Sequence, residues 1–154
     1  MLQLKEGMKA PAFEGIDQTG QVIKLSDFKG KKVVIYVYPK DDTTACTAEA
    51  CNLRDNWDSF LKKGFIVIGV SPDNEKSHKR FSDKYSLPFP LIADLSKKIV
   101  NDYGVWGEKK MYGRTYLGVI RTTFIIDGKG IIAQIINKVD TGGHTKQIFD
   151  MYNK

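Results

Sequence analysis

The chain has 154 residues, the length of one ordinary domain, so we expect a single domain over residues 1–154. Its hydrophobic fraction of 42% and charged fraction of 27% are typical of a soluble globular protein. No apolar run reaches the roughly 18 residues that a membrane-spanning helix needs, and the first residues lack the apolar stretch of a signal peptide. We therefore expect a cytoplasmic protein with no membrane partner, in a compartment where thiols stay reduced.

The net charge of +6 raises the question of nucleic-acid binding. Paired lysines are scattered along the chain, at positions 31–32, 62–63, 97–98 and 109–110. Each pair lies in an expected loop or at the edge of an expected element. We interpret them as solvated surface and expect no nucleic-acid partner.

Two short strands are expected first, over residues 10–14 and 21–25, with turn-forming residues between them. One helical turn closed by Gly30 follows. Residues 32–38 are almost continuously β-branched or aromatic, which is typical of a central strand buried on both faces. An apolar stripe at helical spacing then predicts a long helix over residues 44–63.

Residues 65–70 form a second apolar strand, so the order strand, helix, strand predicts a βαβ unit with parallel strands. A helix over residues 74–85 and a short strand over residues 90–94 follow. Ser96 is expected to cap a short helix that ends near Tyr103.

The last third of the chain begins with residues 104–118, which are rich in lysine, glycine and aromatic residues and are predicted to be a loop. Strands over residues 119–126 and 131–136 flank a turn and predict an antiparallel hairpin, and a helix over residues 145–153 closes the chain. The elements together predict an α/β, thioredoxin-like fold. We expect a mixed central sheet flanked by helices, with an N-terminal β-hairpin extension.

Cys46 stands where a strongly β-forming strand gives way to the first turn of a helix. Backbone N–H groups are unpaired at that point and the positive end of the helix dipole is close, and both favour a thiolate over a thiol. Cys51 lies five residues later on the same expected helix. In a reducing compartment, two such cysteines indicate thiol redox chemistry.

Pro39, Thr43 and Cys46 follow a strand with the spacing Pro-x-x-x-Thr-x-x-Cys, and Arg121 opens a late strand. This pattern resembles the peroxiredoxins, and most closely their bacterioferritin-comigratory or peroxiredoxin Q branch. The segments similar to that branch span almost the whole chain and are residues 38–43, 46–51, 53–55, 106–110 and 121–127. One departure precedes the cysteine, where Thr44-Ala45 replaces the usual Pro-Gly and leaves the start of the helix and the tightness of the pocket open.

The resemblance implies a thiol peroxidase that needs no cofactor and no metal. Cys46 would be the peroxidatic cysteine, attacking the O–O bond of hydrogen peroxide or a small organic hydroperoxide and becoming a sulfenic acid. Arg121 would stabilise the thiolate and bind peroxide oxygen, while Thr43 and Pro39 would shape and shield the pocket. Cys51 would be the resolving cysteine, a thioredoxin-type protein would reduce the disulfide, and a monomer is expected over a dimer.

Elementary physical chemistry adds two expectations to the resemblance. If Thr43 is the N-cap of the helix, its side-chain oxygen is expected to accept an N–H group near Cys46. On an ideal helix, Cα atoms five residues apart are about 8–9 Å from each other, whereas a disulfide needs less than about 7 Å. We therefore expect the first turns of the helix to unwind when Cys46 bonds to Cys51.

Plainer interpretations of the same residues stay open. Cys46 could be an ordinary core cysteine, Cys51 an apolar helix residue resolved by an outside thiol, and Arg121 a strand residue paired with a surface carboxylate. Glu49 either hydrogen-bonds within the active site or is an exposed glutamate near the helix dipole.

Three other function classes are weighed against a peroxidase. A Cys–His hydrolase has little support, because His78 is expected on a charged helix surface and nothing places it or His144 near Cys46; neither has a metal-binding spacing. A redox sensor or adaptor would stall after one equivalent of peroxide, whereas a peroxidase turns over with a thioredoxin system. A disulfide reductase would normally carry Cys-x-x-Cys, whereas four residues separate Cys46 and Cys51.

Overall fold

The computed structural model describes residues 4–152. The first elements are β1 (Glu14–Ile16), β2 (Val22–Lys24), a 3-10 turn (Leu25–Phe28) and β3 (Lys32–Val37). Next come α1 (Thr44–Asp55), α2 (Trp57–Lys62), β4 (Phe65–Ser71), α3 (Glu75–Tyr85) and β5 (Leu91–Ala93). The last elements are α4 (Lys98–Asp102), β6 (Trp106–Met111), β7 (Arg114–Val119), β8 (Thr122–Ile126), β9 (Ile132–Ile136) and α5 (His144–Tyr152).

A mixed sheet of five strands in the order β5-β4-β3-β8-β9 forms the centre of the molecule. β3 runs parallel to β4 and antiparallel to β8. Alternate β3 side chains pack on opposite faces, with Val33 and Ile35 in one buried cluster and Val34 and Tyr36 in the other. The predicted central strand, the parallel βαβ unit and the helix-flanked mixed sheet are confirmed, and β1 and β2 form the expected N-terminal hairpin.

The predicted helix over residues 44–63 is interrupted at Asn56, which separates α1 from α2. Asn56 leaves helical geometry, with a ψ angle of 17°, and its side-chain amide donates to the Asn52 carbonyl at 2.8 Å. Asparagine side chains compete with the backbone in this way and favour helix ends. The prediction of one continuous helix was therefore wrong, although the start at Thr44 is confirmed.

The predicted strand over residues 10–14 was also wrong, because only Glu14 belongs to β1. Pro11 has no N–H group to donate to a strand ladder. Ala10 and Phe13 in this segment are buried in the core instead.

Residues 104–118 do not form the predicted loop, because β6 and β7 pair as an antiparallel two-stranded sheet. Tyr112 and Gly113, both with positive φ, make the tight turn between them. Val119 ends β7 and β8 begins only at Thr122, so Arg121 lies in the short link between two different sheets.

With Ser96 as its cap, the predicted helix would begin at residue 97, and α4 begins one residue later, at Lys98. The Ser96 hydroxyl accepts the Lys98 N–H at 3.3 Å, as expected of a cap, and the Asp94 carboxylate accepts the N–H groups of Ile99 at 3.2 Å and Val100 at 2.9 Å, so the two side chains share the capping of α4. The last residue of the predicted closing helix, Asn153, lies outside the described residues. Over residues 4–152, no helix has the length and apolar character needed to cross a bilayer.

Candidate active site

Cys46 is the third residue of α1, at the end of the loop that leaves β3. It is a free thiol with 1% of its surface exposed, and it packs in the same buried cluster as Tyr36, Tyr38 and Leu53. The first N–H groups of a helix have no acceptor within it and carry the positive end of its dipole. The sulfur therefore lies at the positively polarised end of a helix, as the sequence predicted.

Thr43 is the N-cap of α1, as expected, but its side chain has a different partner from the predicted one. The hydroxyl donates to the Lys40 carbonyl at 3.0 Å, within the loop that precedes the helix. This hydrogen bond joins two residues of the loop that precedes α1. The Thr43 side chain therefore caps no N–H group in the first turn of α1.

The loop before α1 is anchored to the rest of the molecule by Asp41. Its carboxylate accepts the Tyr38 hydroxyl at 2.6 Å and the Ser77 hydroxyl at 2.8 Å, and it lies 2.7 Å from Nδ1 of His78. Its backbone N–H donates to the Asp73 carboxylate at 2.7 Å. Buried carboxylates with several donors hold a fixed position, so these bonds determine where the loop enters α1.

His78 was expected on a charged helix surface, but it is fully buried. Its Nε2 lies 2.9 Å from the Ile92 carbonyl, an acceptor, so this nitrogen donates. Asp41, Asp73 and His78 are close enough together to resemble a metal site. The His78 ring and both carboxylates already have hydrogen-bond partners within the protein. We therefore interpret the cluster as a structural anchor for the loop before α1.

The adjacent residue, Asp42, adopts a left-handed backbone conformation with a φ angle of 57°. Its carboxylate accepts from Lys84 at 2.9 Å and from the Tyr85 hydroxyl at 3.0 Å, and both partners are on α3. Two consecutive loop residues are therefore bonded to the same helix, which helps to offset the unfavourable backbone geometry. Pro39 is half-buried and Thr43 is exposed in this anchored loop.

Arg121, in the link just before β8, contacts the Cys46 sulfur. Its Nη2 donates to the Cys46 Sγ atom at 3.2 Å, and its Nη1 donates to the Glu49 carboxylate at 2.7 Å. Burial acts to lower the pKa of Arg121, but Glu49 and Cys46 more than offset it, and the pKa rises above its ordinary value. The guanidinium therefore stays charged while it contacts two residues one helical turn apart.

Glu49 is completely buried, so the interpretation as an exposed helix glutamate was wrong. Burial raises its pKa to about 7, although the neighbouring Arg121 acts in the opposite direction. Among the described residues its Oε2 atom has no hydrogen-bond partner, and it lies 3.5 Å from Nε2 of His144. The site thus contains a carboxyl group that holds a proton up to about neutral pH.

His144 follows Arg121 and Glu49 in a series of contacts that begins at Cys46. Nothing in the sequence had placed His144 near that cysteine. The Gln147 side chain donates to the Lys138 carbonyl at 2.8 Å and accepts the Asp140 N–H at 3.0 Å. Its amide oxygen therefore faces His144 Nδ1 at 2.9 Å, and Nδ1 donates. Nε2 lies 2.8 Å from the Thr123 hydroxyl and accepts from it, and burial lowers the pKa of His144 to about 4, which keeps the ring neutral.

The predicted site residues are thus partly brought together. Cys46 and Arg121 are in direct contact, and Pro39 and Thr43 lie in the loop that leads to Cys46. Cys51 is half-buried on α1, and on an ideal helix a residue five positions along points about 140° away around the axis. The two sulfurs cannot bond while α1 is intact.

The Glu49→Gln substitution is expected to change how stability depends on pH. The pKa of Glu49 is about 7 in the folded protein and 4.5 as its ordinary value, so the folded state binds an extra proton between these values. The stabilising contribution of this carboxyl is complete below pH 4.5 and is lost as the pH rises to about 7. Measured by urea unfolding, the free-energy difference between wild type and Glu49→Gln should fall by about 3 kcal/mol over that range.

His144 titrates with the opposite sign, because its folded pKa is lowered from 6.5 to about 4 and its contribution is lost as the pH falls. It is present in both proteins, so it cancels from the difference to first order. Glu108→Gln, at an exposed position on β6, is the matched control. The same pH profile for the two variants would contradict a buried, proton-holding Glu49.

The fold and the site together define a thiol peroxidase of the peroxiredoxin class, with a cysteine at a helix start, held by a guanidinium, in a thioredoxin-like sheet. The chain belongs to the AhpC/TSA family, whose model matches residues 7–135. The resemblance to the bacterioferritin-comigratory branch is confirmed by relatives and solved structures that carry its name.

Relatives in several bacteria match almost the entire chain. A putative peroxiredoxin bcp of Coxiella burnetii is 43% identical over 147 residues, which cover 96% of this chain and 97% of that protein. Peroxiredoxin Bcp of Bacillus subtilis is 41% identical over 146 residues, covering 95% of this chain and 93% of that protein.

Solved structures show the same architecture. The bacterioferritin comigratory protein of Xanthomonas campestris, studied for alkyl peroxide reduction, has a TM-score of 0.88 and 32% identity, covering 97% of this chain and 98% of its own. A cysteine-to-serine mutant of PrxQ from Xylella fastidiosa has a TM-score of 0.92 and 26% identity, covering 99% and 98%.

Proposed function

We propose that this peroxidase reduces hydrogen peroxide and small organic hydroperoxides with Cys46 as the attacking atom and Cys51 as the resolving thiol. The observation that carries the proposal is the hydrogen bond from Arg121 Nη2 to the Cys46 sulfur at 3.2 Å. A guanidinium in this position stabilises a sulfur anion, the reactive form of cysteine. The study of alkyl peroxide reduction by the Xanthomonas campestris protein supports the same substrate class.

In the first step, the Cys46 sulfur attacks one peroxide oxygen and the O–O bond breaks. The sulfur becomes a sulfenic acid, and the other oxygen leaves as hydroxide or alkoxide and takes up a proton. Negative charge grows on the leaving oxygen, so donors that are already oriented lower the barrier. Arg121 and the N–H groups in the first turn of α1 are such donors, and Pro39 and Thr43 shape the approach to them.

The protonation state of Glu49 sets how strongly the positive charge of Arg121 acts on the sulfur and the substrate. When the carboxyl is protonated, it remains hydrogen-bonded to Nη1 without neutralising the guanidinium. When it is ionised, it competes with the sulfur and the peroxide for the same positive charge. With a pKa of about 7, Glu49 passes between these two states close to neutral pH.

In the second step, the Cys51 thiol attacks the sulfenic sulfur, so that an S–S bond forms and water leaves. Because α1 keeps the two sulfurs apart, its first turns have to unwind before this bond can form. A thioredoxin-type protein then supplies two electrons and two protons and returns both cysteines to thiols. A monomer acting in the cytoplasm fits this cycle, because every reacting group is on one chain and a thiol donor is required.

The test is mass spectrometry after one equivalent of hydrogen peroxide on wild type and on Cys51→Ser. The wild type is expected to lose two mass units through an intramolecular disulfide. Cys51→Ser is expected to gain one oxygen on the peptide that contains Cys46, since no local thiol can condense with it. Oxygen on any other residue, or an unmodified Cys46, would contradict the proposal.

Turnover separates the proposed peroxidase from a sensor. With thioredoxin, its reductase and a nicotinamide electron source, the wild type should consume many equivalents of peroxide. Consumption that stops after one equivalent would support a redox sensor or adaptor instead. Size-exclusion chromatography at micromolar concentration tests the monomeric state.

A further inference from the structure

The start of α5 is bonded to α1 next to Cys51. We propose that Asn52, Gly142 and Thr145 form a latch that keeps α1 helical and sets the rate at which Cys51 resolves the Cys46 sulfenic acid. We call these three residues the α5 latch. The inference rests on the proposed function and assigns positioning residues for its second step.

Asn52 makes three hydrogen bonds to Thr145 at the start of α5 and to Gly142 just before it. Its Oδ1 accepts the Thr145 N–H at 2.8 Å, its Nδ2 donates to the Gly142 carbonyl at 3.1 Å, and its own carbonyl accepts the Thr145 hydroxyl at 3.3 Å. Thr145 is the second residue of α5, so its N–H is one of those that a helix cannot pair internally. Asn52 thus caps α5 from another helix and connects the two elements at one point.

Further contacts join the same two helices between the cysteines. Glu49 lies 3.5 Å from His144 on α5 and 2.7 Å from Arg121. Ala50 on α1 and Ile148 on α5 are both completely buried in one apolar cluster. The part of α1 that has to unwind is therefore the part that α5 holds.

The latch acts on the resolving step because of where Asn52 lies. Cys51 has to leave the helix in order to reach Cys46. Because Asn52 is the next residue along the chain, its backbone is displaced when Cys51 moves. Unwinding that reaches Cys51 therefore strains or breaks the bonds of Asn52 to Thr145 and Gly142. These bonds exist in the intact helix and are lost on the way to the disulfide, so they slow its formation.

A slow resolving step has a chemical consequence. The sulfenic acid on Cys46 either condenses with the Cys51 thiol, releasing water, or attacks a second hydroperoxide. In the second reaction the O–O bond breaks, the sulfur gains another oxygen and becomes a sulfinic acid, and water or an alcohol leaves. The α5 latch therefore determines how readily excess peroxide inactivates the enzyme.

The experiment measures disulfide and sulfinic acid by rapid acid quench and mass spectrometry in wild type, Asn52→Ala and Thr145→Val. Asn52→Ala is expected to form the disulfide about tenfold faster, the size expected for losing one or two hydrogen bonds. Its sulfinic fraction at high peroxide should fall by about the same factor. Thr145→Val keeps the shape and loses only the hydroxyl bond, so a smaller change in the same direction is expected. The first oxidation of Cys46 should keep its wild-type rate.

Two controls separate a latch from general loss of stability. Lys146→Ala changes an exposed side chain in the same turn of α5, bonded to Asp150. Ile132→Val weakens the core cluster on the other face of the sheet. Both should form the disulfide at the wild-type rate.

The outcomes distinguish the latch from the function on which it rests. A wild-type disulfide rate in both Asn52→Ala and Thr145→Val would overturn the latch and leave the peroxidase intact. Equal acceleration in Ile132→Val would also overturn it. If Asn52→Ala fails to fold, Thr145→Val decides. Failure of the wild type to form either the sulfenic acid or the disulfide would overturn the proposed function itself.

Discussion

Replacing Cys46 with serine is expected to reduce hydroperoxide turnover to the background rate without enzyme. Serine fits the same nearly fully buried position, so the fold should persist. Its hydroxyl stays protonated near neutral pH and is a far weaker nucleophile toward oxygen than a thiolate. The measurement is peroxide consumption with a thioredoxin system, together with a circular dichroism spectrum to confirm folding.

The matched control is Cys51→Ser, a change of the same kind five residues along the same helix. It should oxidise once at the wild-type rate and then lose turnover with thioredoxin. Residual steady turnover in folded Cys46→Ser clearly above the background rate would contradict the assignment of the attacking atom.

Replacing Arg121 with alanine is expected to slow the oxidation of Cys46 by about 10²–10³-fold, the loss typical of removing one oriented donor from a site of developing negative charge. The variant loses the donor to the sulfur at 3.2 Å and the partner of Glu49 at 2.7 Å. Stopped-flow oxidation by hydrogen peroxide in single turnover measures this step apart from disulfide formation and reduction.

Arg121→Lys refines this prediction. A lysine keeps the positive charge, but it has one ammonium group in place of a planar fork that reaches Cys46 and Glu49 together, so we expect an intermediate rate, about tenfold below wild type. Arg114→Ala removes an exposed arginine from the neighbouring strand β7 and serves as the control. Equal rates for Arg121→Ala and Arg114→Ala would remove Arg121 from the mechanism.

The sequence was informative where one local rule determines the outcome. The run of β-branched and aromatic residues in β3 admits few alternatives to a buried central strand, and Thr43 is a residue type that starts helices. These two rules are sufficient to place Cys46 in the first turn of α1. Arg121 is far from Cys46 along the chain, and only the resemblance to a known family connected the two.

Features that depend on competing partners were not predictable from the sequence. The Thr43 hydroxyl can bond to a helix N–H or to a loop carbonyl, and Asn56 can continue a helix or end it. The charged ribbon formed by β6 and β7 lacks the apolar alternation that marks a strand. In each case, the contacts made in the folded protein determined which conformation formed.

Glu49 and His144 lie closer to Cys46 than sequence reasoning indicated, in one chain of contacts with Arg121. Both are polar residues with 0% exposure, and burial of a polar side chain depends on contacts between distant segments. A weak signal existed, because Glu49 lies three residues after Cys46 and so on the same side of α1. No comparable signal pointed from His144 to the site, since α5 approaches it only through the fold.

The most direct measurement compares the two sulfurs of this chain under identical conditions. Cys51→Ser retains only Cys46, and Cys46→Ser retains only Cys51, so the loss of thiol to hydrogen peroxide reports one atom in each variant. We expect Cys46 to react at least about 10²-fold faster, because Arg121 and the start of α1 act on that sulfur alone. Equal rates for the two sulfurs would contradict the account.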